Sequence, residues 1–211
     1  MPVSLTTSRS FPRDVDAIGV GVGTSGPVGR QHGLSRSALA AHGFDGKVGQ
    51  TLVVPSASGP TVVVVGVGDP RKATANDLRR AAAAFTRSVS RRARVATNLV
   101  DAVSLDARIA GQAVAEGVLL ASYRYTDLKS NKPNGGTTEV TLVVSSARAK
   151  AAESGLERGR VTGGAAMLAR DLANTPPAYL TARMLADRAV SVAKASGLGV
   201  EVFDNDKLAV M

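Results

Sequence analysis

One run of residues restricts the fold more than any other: Thr61-Val62-Val63-Val64-Val65-Gly66-Val67-Gly68. β-Branched side chains are stiff at χ1 and pack well on a pleated surface. A run without polar alternation has no face to give to water, so its strand must be covered on both sides. That places it inside a sheet with helices over it. Asp69-Pro70 ends the run, because proline brings no N–H to the ladder.

The flanking sequence supplies the covering helices. Thr74 with Asp77 has the form of a capping box. It opens a helix predicted to run to about Arg92, with Leu78, Ala81, Ala82, Phe85 and Val89 along one face. Further strands are predicted over 15–22, 51–55, 95–100 and 139–145, and further helices over 106–122 and 147–173. The last of these has Gly163-Gly164 as a point of interruption. In the 106–122 helix Ile109, Ala113, Gly117 and Leu120 face inward. Glu116 falls on the same stripe, where an acid is expected to be paired or at the stripe's edge rather than catalytic. Residues 1–13 are polar and read as frayed. Strands alternating with helices indicate an α/β fold. Aromatics make up only 3% of the chain and Trp is absent, so Val, Leu and Ala must fill the core.

Charge singles out one helix. The chain carries a net +9, and between Arg71 and Arg94 there are eight Lys or Arg against one acid, Asp77. At about 100° per residue, Arg80, Arg87 and Arg91 fall within roughly 40° of one another, opposite the apolar face. They are the candidate nucleic-acid-binding residues, since a basic stripe attracts phosphate backbones. A solvated helix face or a subunit contact fits the same pattern.

Other motifs point to less chemistry. Gly21-Val22-Gly23-Thr24-Ser25-Gly26 matches the dinucleotide fingerprint after a strand, but that site needs a helix to open there. Pro27 to Gly33 is too rich in Gly for one, so the stretch reads as a loop. His32 and His42 are the only histidines, without metal-ligand spacing. Asp204 and Asp206 read as surface acids, and no P-loop or nucleophile-elbow motif occurs. With no cysteine the chain excludes disulfide and thiolate chemistry and fits a reducing compartment. Its first residues do not form a signal peptide, and no segment approaches a membrane span. A cytoplasmic protein without membrane association is the expectation.

The last quarter of the chain contains a forced turn. A helix ends at Ala169-Arg170-Asp171-Leu172-Ala173-Asn174, Thr175-Pro176-Pro177 breaks it, and Thr181 is placed to cap the next helix, which ends at Gly197. This stretch resembles the junction of the leucyl (cytosol) aminopeptidases, where an N-terminal α/β domain meets a dinuclear metal peptidase domain. The likeness extends to the 61–70 strand and turn, to Leu78-Arg79-Arg80-Ala81-Ala82, to Glu116-Gly117, to Tyr123-Arg124-Tyr125 with Lys129, and to Gly199-Val200-Glu201-Val202-Phe203-Asp204.

The resemblance implies a mixed sheet flanked by helices, in a macro-like N-terminal domain over 1–160. A long connecting helix and the first elements of a second α/β domain, including a strand at 200–203, would then occupy 161–211. It implies a cytoplasmic homohexamer that removes N-terminal residues from peptides with two divalent metal ions, zinc or manganese. Some bacterial members of the family bind DNA, so weak DNA binding by the stripe is compatible with it. The family's metal site is built from Lys, Asp and Glu, with catalytic Lys and Arg, in motifs such as Asn-Thr-Asp-Ala-Glu-Gly-Arg. None of these motifs occurs here. No catalytic, metal or cofactor-binding residue is therefore assigned in this chain, and alone it is expected to be inactive. The alternative is a nucleic-acid-binding or regulatory module.

Overall fold

The computed structural model describes residues 3–29, 33–56, 59–131 and 135–211. The chain separates into two compact units, 1–167 and 168–211.

The first unit is built on a six-stranded mixed sheet. Its strands are β1 (Ser4–Ser8), β2 (Ala17–Val22), β3 (Thr51–Val54), β4 (Thr61–Gly66), β5 (Arg94–Thr97) and β6 (Glu139–Val143). The spatial order is β1-β6-β5-β2-β4-β3. Every pairing is parallel except β3 on β4. The valine run is β4, and both its faces are covered. Val63 and Val65 join the core beneath α2 (Ala75–Ser88), α3 (Ala107–Ser122) and the first part of α4 (Ser146–Asn174). Val62 and Val64 face the smaller core under α1 (Arg36–Ala41), with Leu39 and Phe44.

Phe85 of α2 explains the unusual β2 sequence, Ala-Ile-Gly-Val-Gly-Val. Ile18, Val20 and Val22 fill the α1 side. Gly19 faces α2, and a Cβ there would meet the Phe85 ring at 2.6 Å. Large and small residues thus interdigitate across the sheet–helix interface.

Helix packing on that side is close. A Cβ on Gly155 would collide with the Arg108 carbonyl, one on Gly111 with the Ala152 carbonyl, and one on Gly159 with Ala115. These small residues let α3 and α4 approach at backbone distance. The expected interruption at Gly163-Gly164 does not occur. α4 runs unbroken to Asn174, and Gly163 sits against Leu119 of α3. Gly lowers helix propensity, but tertiary contact on one side overrides it.

Three further expectations change. Residues 4–8 are not frayed: Leu5 is fully buried and pairs in register with Val140, while the Thr6 and Thr141 hydroxyls lie 3.2 Å apart. A single buried leucine in a threonine-rich segment suffices when a ladder partner waits. The helix predicted to Arg92 stops at Ser88. No strand forms at 200–203, since a strand needs a neighbour to take its N–H and C=O groups.

The second unit contains a 3₁₀ turn (Pro177–Tyr179), α5 (Ala182–Ser196) and α6 (Asn205–Ala209). Thr181 caps α5 as expected, accepting from the Met184 N–H, and Gly197 closes it in the left-handed conformation at φ 67°. Asp204 caps α6 by accepting from the Lys207 N–H at 2.9 Å. Among residues 168–211 only Ala193 is buried.

Candidate functional site

α2 carries the candidate nucleic-acid-binding residues, so its ends decide their geometry. At its start the capping box is complete. The Asp77 N–H donates to Thr74 Oγ1 at 3.2 Å and the Thr74 N–H donates to Asp77 Oδ2 at 3.0 Å. Hydrogen bonds from the Thr74 side chain and backbone hold the Asp77 carboxyl below its ordinary pKa against a smaller effect of burial, and the Arg80 charge adds to them.

At the other end the Thr86 and Ser88 hydroxyls donate to the Ala82 and Ala84 carbonyls at 2.9 and 3.0 Å. Such back-bonding weakens a helix, and Val89 leaves it at φ −108°, ψ 17°. Arg80 and Arg87 therefore share the exposed face of α2, two turns apart, while Arg91 is exposed past the helix end. It lies beyond the helix, beside Arg92, where a cavity of about 420 Å³ is lined by Ser88, Val89, Ser90, Arg91 and Arg92. Sequence periodicity misses this grouping because it continues the helix through it. The readable signal is the Thr86, Ser88, Ser90 succession of hydroxyls.

Arg79 points the other way. Its Nε and Nη2 reach Glu116 Oε2 at 2.8 and 2.6 Å. Glu116 Oε1 accepts from Gln112 Nε2 at 2.8 Å and from Thr162 Oγ1 at 2.6 Å. This carboxylate, 7% exposed, joins α2, α3 and α4. Burial raises its pKa, but the hydrogen bonds from Thr162, Gln112 and Arg79, with the Arg79 charge, outweigh that and leave it below its ordinary value. Of the two positions expected for this acid, paired or at the stripe's edge, it takes the paired one.

The glycine motif is not a phosphate cradle. α1 opens only at Arg36, ten residues past Gly26. The Arg36 guanidinium donates to the carbonyls of Gly23 at 3.1 Å, Thr24 at 3.4 Å and Gly26 at 2.8 Å. A loop that turns its carbonyls toward a cation is the reverse of an anion nest. A Cβ on Gly21 would strike Ala102, and one on Gly23 would strike Pro70. These glycines admit the protein's own chain rather than a pyrophosphate. His32 lies outside the described residues. His42 ends α1 and donates its backbone N–H to the Ala38 and Leu39 carbonyls.

The acids do not fit a dinuclear metal site. Among the described residues no three His, Cys, Asp or Glu cluster as ligands. Asp14 and Asp16 are bound to Arg94, Asp101 to the Ser145 N–H and Arg148, and Asp106 caps α3. No described helix is long and apolar enough to cross a membrane.

Known proteins share this arrangement. Residues 29–132 match the N-terminal domain of the cytosol aminopeptidase family. A probable cytosol aminopeptidase of Rhodococcus jostii is 36% identical over 178 residues, covering 81% of this chain and 34% of that protein. One of Corynebacterium diphtheriae is 31% identical over 221 residues, covering 99% of this chain and 43% of its own. The chain thus spans about a third to two-fifths of the relatives' length. The bottromycin maturation enzyme BotP superposes with a TM-score of 0.76 at 32% identity, over 92% of this chain and 40% of that one. It has also been solved in complex with Mn. A mutant of tomato leucine aminopeptidase shares the fold, with a TM-score of 0.82 at 18% identity over 99% of this chain and 46% of its own.

Proposed function

The chain belongs to the cytosol aminopeptidase family through its N-terminal domain, and from that premise we propose that it is the non-catalytic portion of a metal-dependent aminopeptidase. The observation that carries the reading is the match over residues 29–132, on a sheet whose acids are all accounted for by capping, pairing or exposure. The whole enzyme would release N-terminal residues from peptides. Its divalent metals, zinc or manganese, would polarise the scissile carbonyl and activate water on residues outside those described here. Manganese in the related BotP structure supports the choice of metal class.

In this reading residues 1–160 form the accessory domain. The end of α4 and residues up to 211 link it to the peptidase domain and begin that domain. The exposed Leu185, Val200, Val202 and Phe203 support the assignment, since further chain would cover them. The assembly would be a homohexamer in the cytoplasm, as the names of the relatives suggest for the compartment.

A chimera tests the proposal. This chain replaces the corresponding N-terminal third of the Rhodococcus jostii relative, and hydrolysis of leucyl amide is followed with added Mn²⁺ or Zn²⁺. The chimera should hydrolyse the amide and sediment as the relative does. A folded chimera that neither assembles nor hydrolyses would overturn the assignment.

A further inference from the structure

We propose that the cavity at the C-terminal end of α2 binds phosphate oxyanions through Arg91 and Arg92. Its lining brings Arg91, Arg92 and Ser90 to one depression of about 420 Å³, and both arginines are exposed. Each guanidinium offers up to five N–H donors in a planar fork that matches a phosphate edge. Among the described residues neither has a carboxylate partner. Arg92 gives one N–H to Thr61 Oγ1 at 3.3 Å. Two neighbouring acids are engaged by Arg94. Asp14 Oδ2 holds Arg94 Nη1 at 2.8 Å, and Asp16 Oδ2 accepts the Arg94 N–H at 2.9 Å.

The end of a helix ordinarily repels anions through its unpaired carbonyls. Here several carbonyls around that end already accept hydrogen bonds. Phe85 O accepts from the Val89 N–H at 3.1 Å and Arg87 O from the Ser90 N–H at 3.4 Å. Val89 O accepts from the Arg92 N–H at 2.8 Å and from Thr137 Oγ1 at 3.3 Å. Ala84 O is taken by the Ser88 hydroxyl. The site lies where β5 begins, at the opposite end of the parallel strands from the Gly21–Gly26 loop, which follows the end of β2.

Isothermal titration of the whole chain with pyrophosphate at low ionic strength tests this. One site should appear, weakening as salt rises. Arg91→Ala with Arg92→Ala should weaken it at least about tenfold, while Arg80→Ala with Arg87→Ala on the helix face should leave it within about twofold. Equal losses in the two pairs, or none in the first, would overturn the proposal. Backbone amide shifts of the unmodified chain give a readout that does not depend on the variants folding. Pyrophosphate should move Ser90, Arg91 and Arg92, and shifts centred elsewhere would overturn the site. A short DNA duplex separates the two sources of phosphate. Competition with pyrophosphate assigns the site to backbone phosphates as well, and failure to compete restricts it to free phosphates.

Discussion

Glu116 joins three helices through one buried carboxylate. Four hydrogen bonds from three partners converge on one buried carboxylate. Removing it strands Arg79, which retains partial exposure at 35%, so water offsets part of the loss. Glu116→Ala should cost about 2–3 kcal/mol in urea unfolding, and Thr162→Val about 1 kcal/mol. The same group gives a pH dependence of known sign. Its folded pKa lies below its ordinary value of 4.5, so its stabilisation is complete above that value and is lost as pH falls through the folded pKa. Unfolding free energy measured from pH 6 downward should decline less in Glu116→Gln than in the unmodified chain. The sequence signalled this residue because a lone acid on an apolar helical stripe demands partners. It could not signal Thr162, forty-six residues away.

At the scale of elements, local chemistry was legible and tertiary rescue was not. The β4 run and the Thr74–Asp77 box are written in adjacent residues, and both form as read. β1 depends on β6 across more than a hundred residues, so its five residues look like a polar tail. The Gly21–Gly26 motif has the right spacing for a nucleotide, but spacing cannot show that Ala102 and Pro70 occupy the room its glycines create. α2 stops at Ser88 rather than Arg92, a limit that periodicity misses because the sequence there has no stop signal as specific as Gly or Pro. α4 shows the same distinction within one helix. Nothing lies within 4 Å of a Cβ added to Gly164, whereas one added to Gly155 meets the Arg108 backbone. Gly164→Ala should therefore stabilise the chain by about 0.5–1 kcal/mol, and Gly155→Ala should destabilise it by about 1–3 kcal/mol. Thermal melts of the two variants should move in opposite directions.

The whole molecule divides at Met167/Leu168, and burial is uneven across that division. The sheet unit holds nearly all of the buried residues, and the second unit holds only Ala193. Amphipathic helices gain most of their stability from tertiary burial, so limited proteolysis should cut first after about residue 165. First cuts within α2 or β4 would contradict the division. The central claim is that this chain carries the family's N-terminal domain without its chemistry. Release of leucine from leucyl amide by the purified chain, with Zn²⁺ or Mn²⁺ added and removed, tests it most directly. The account predicts no hydrolysis above a protein-free blank under any metal condition. Metal-dependent hydrolysis that copurifies with the chain and is abolished by a chelator would contradict it.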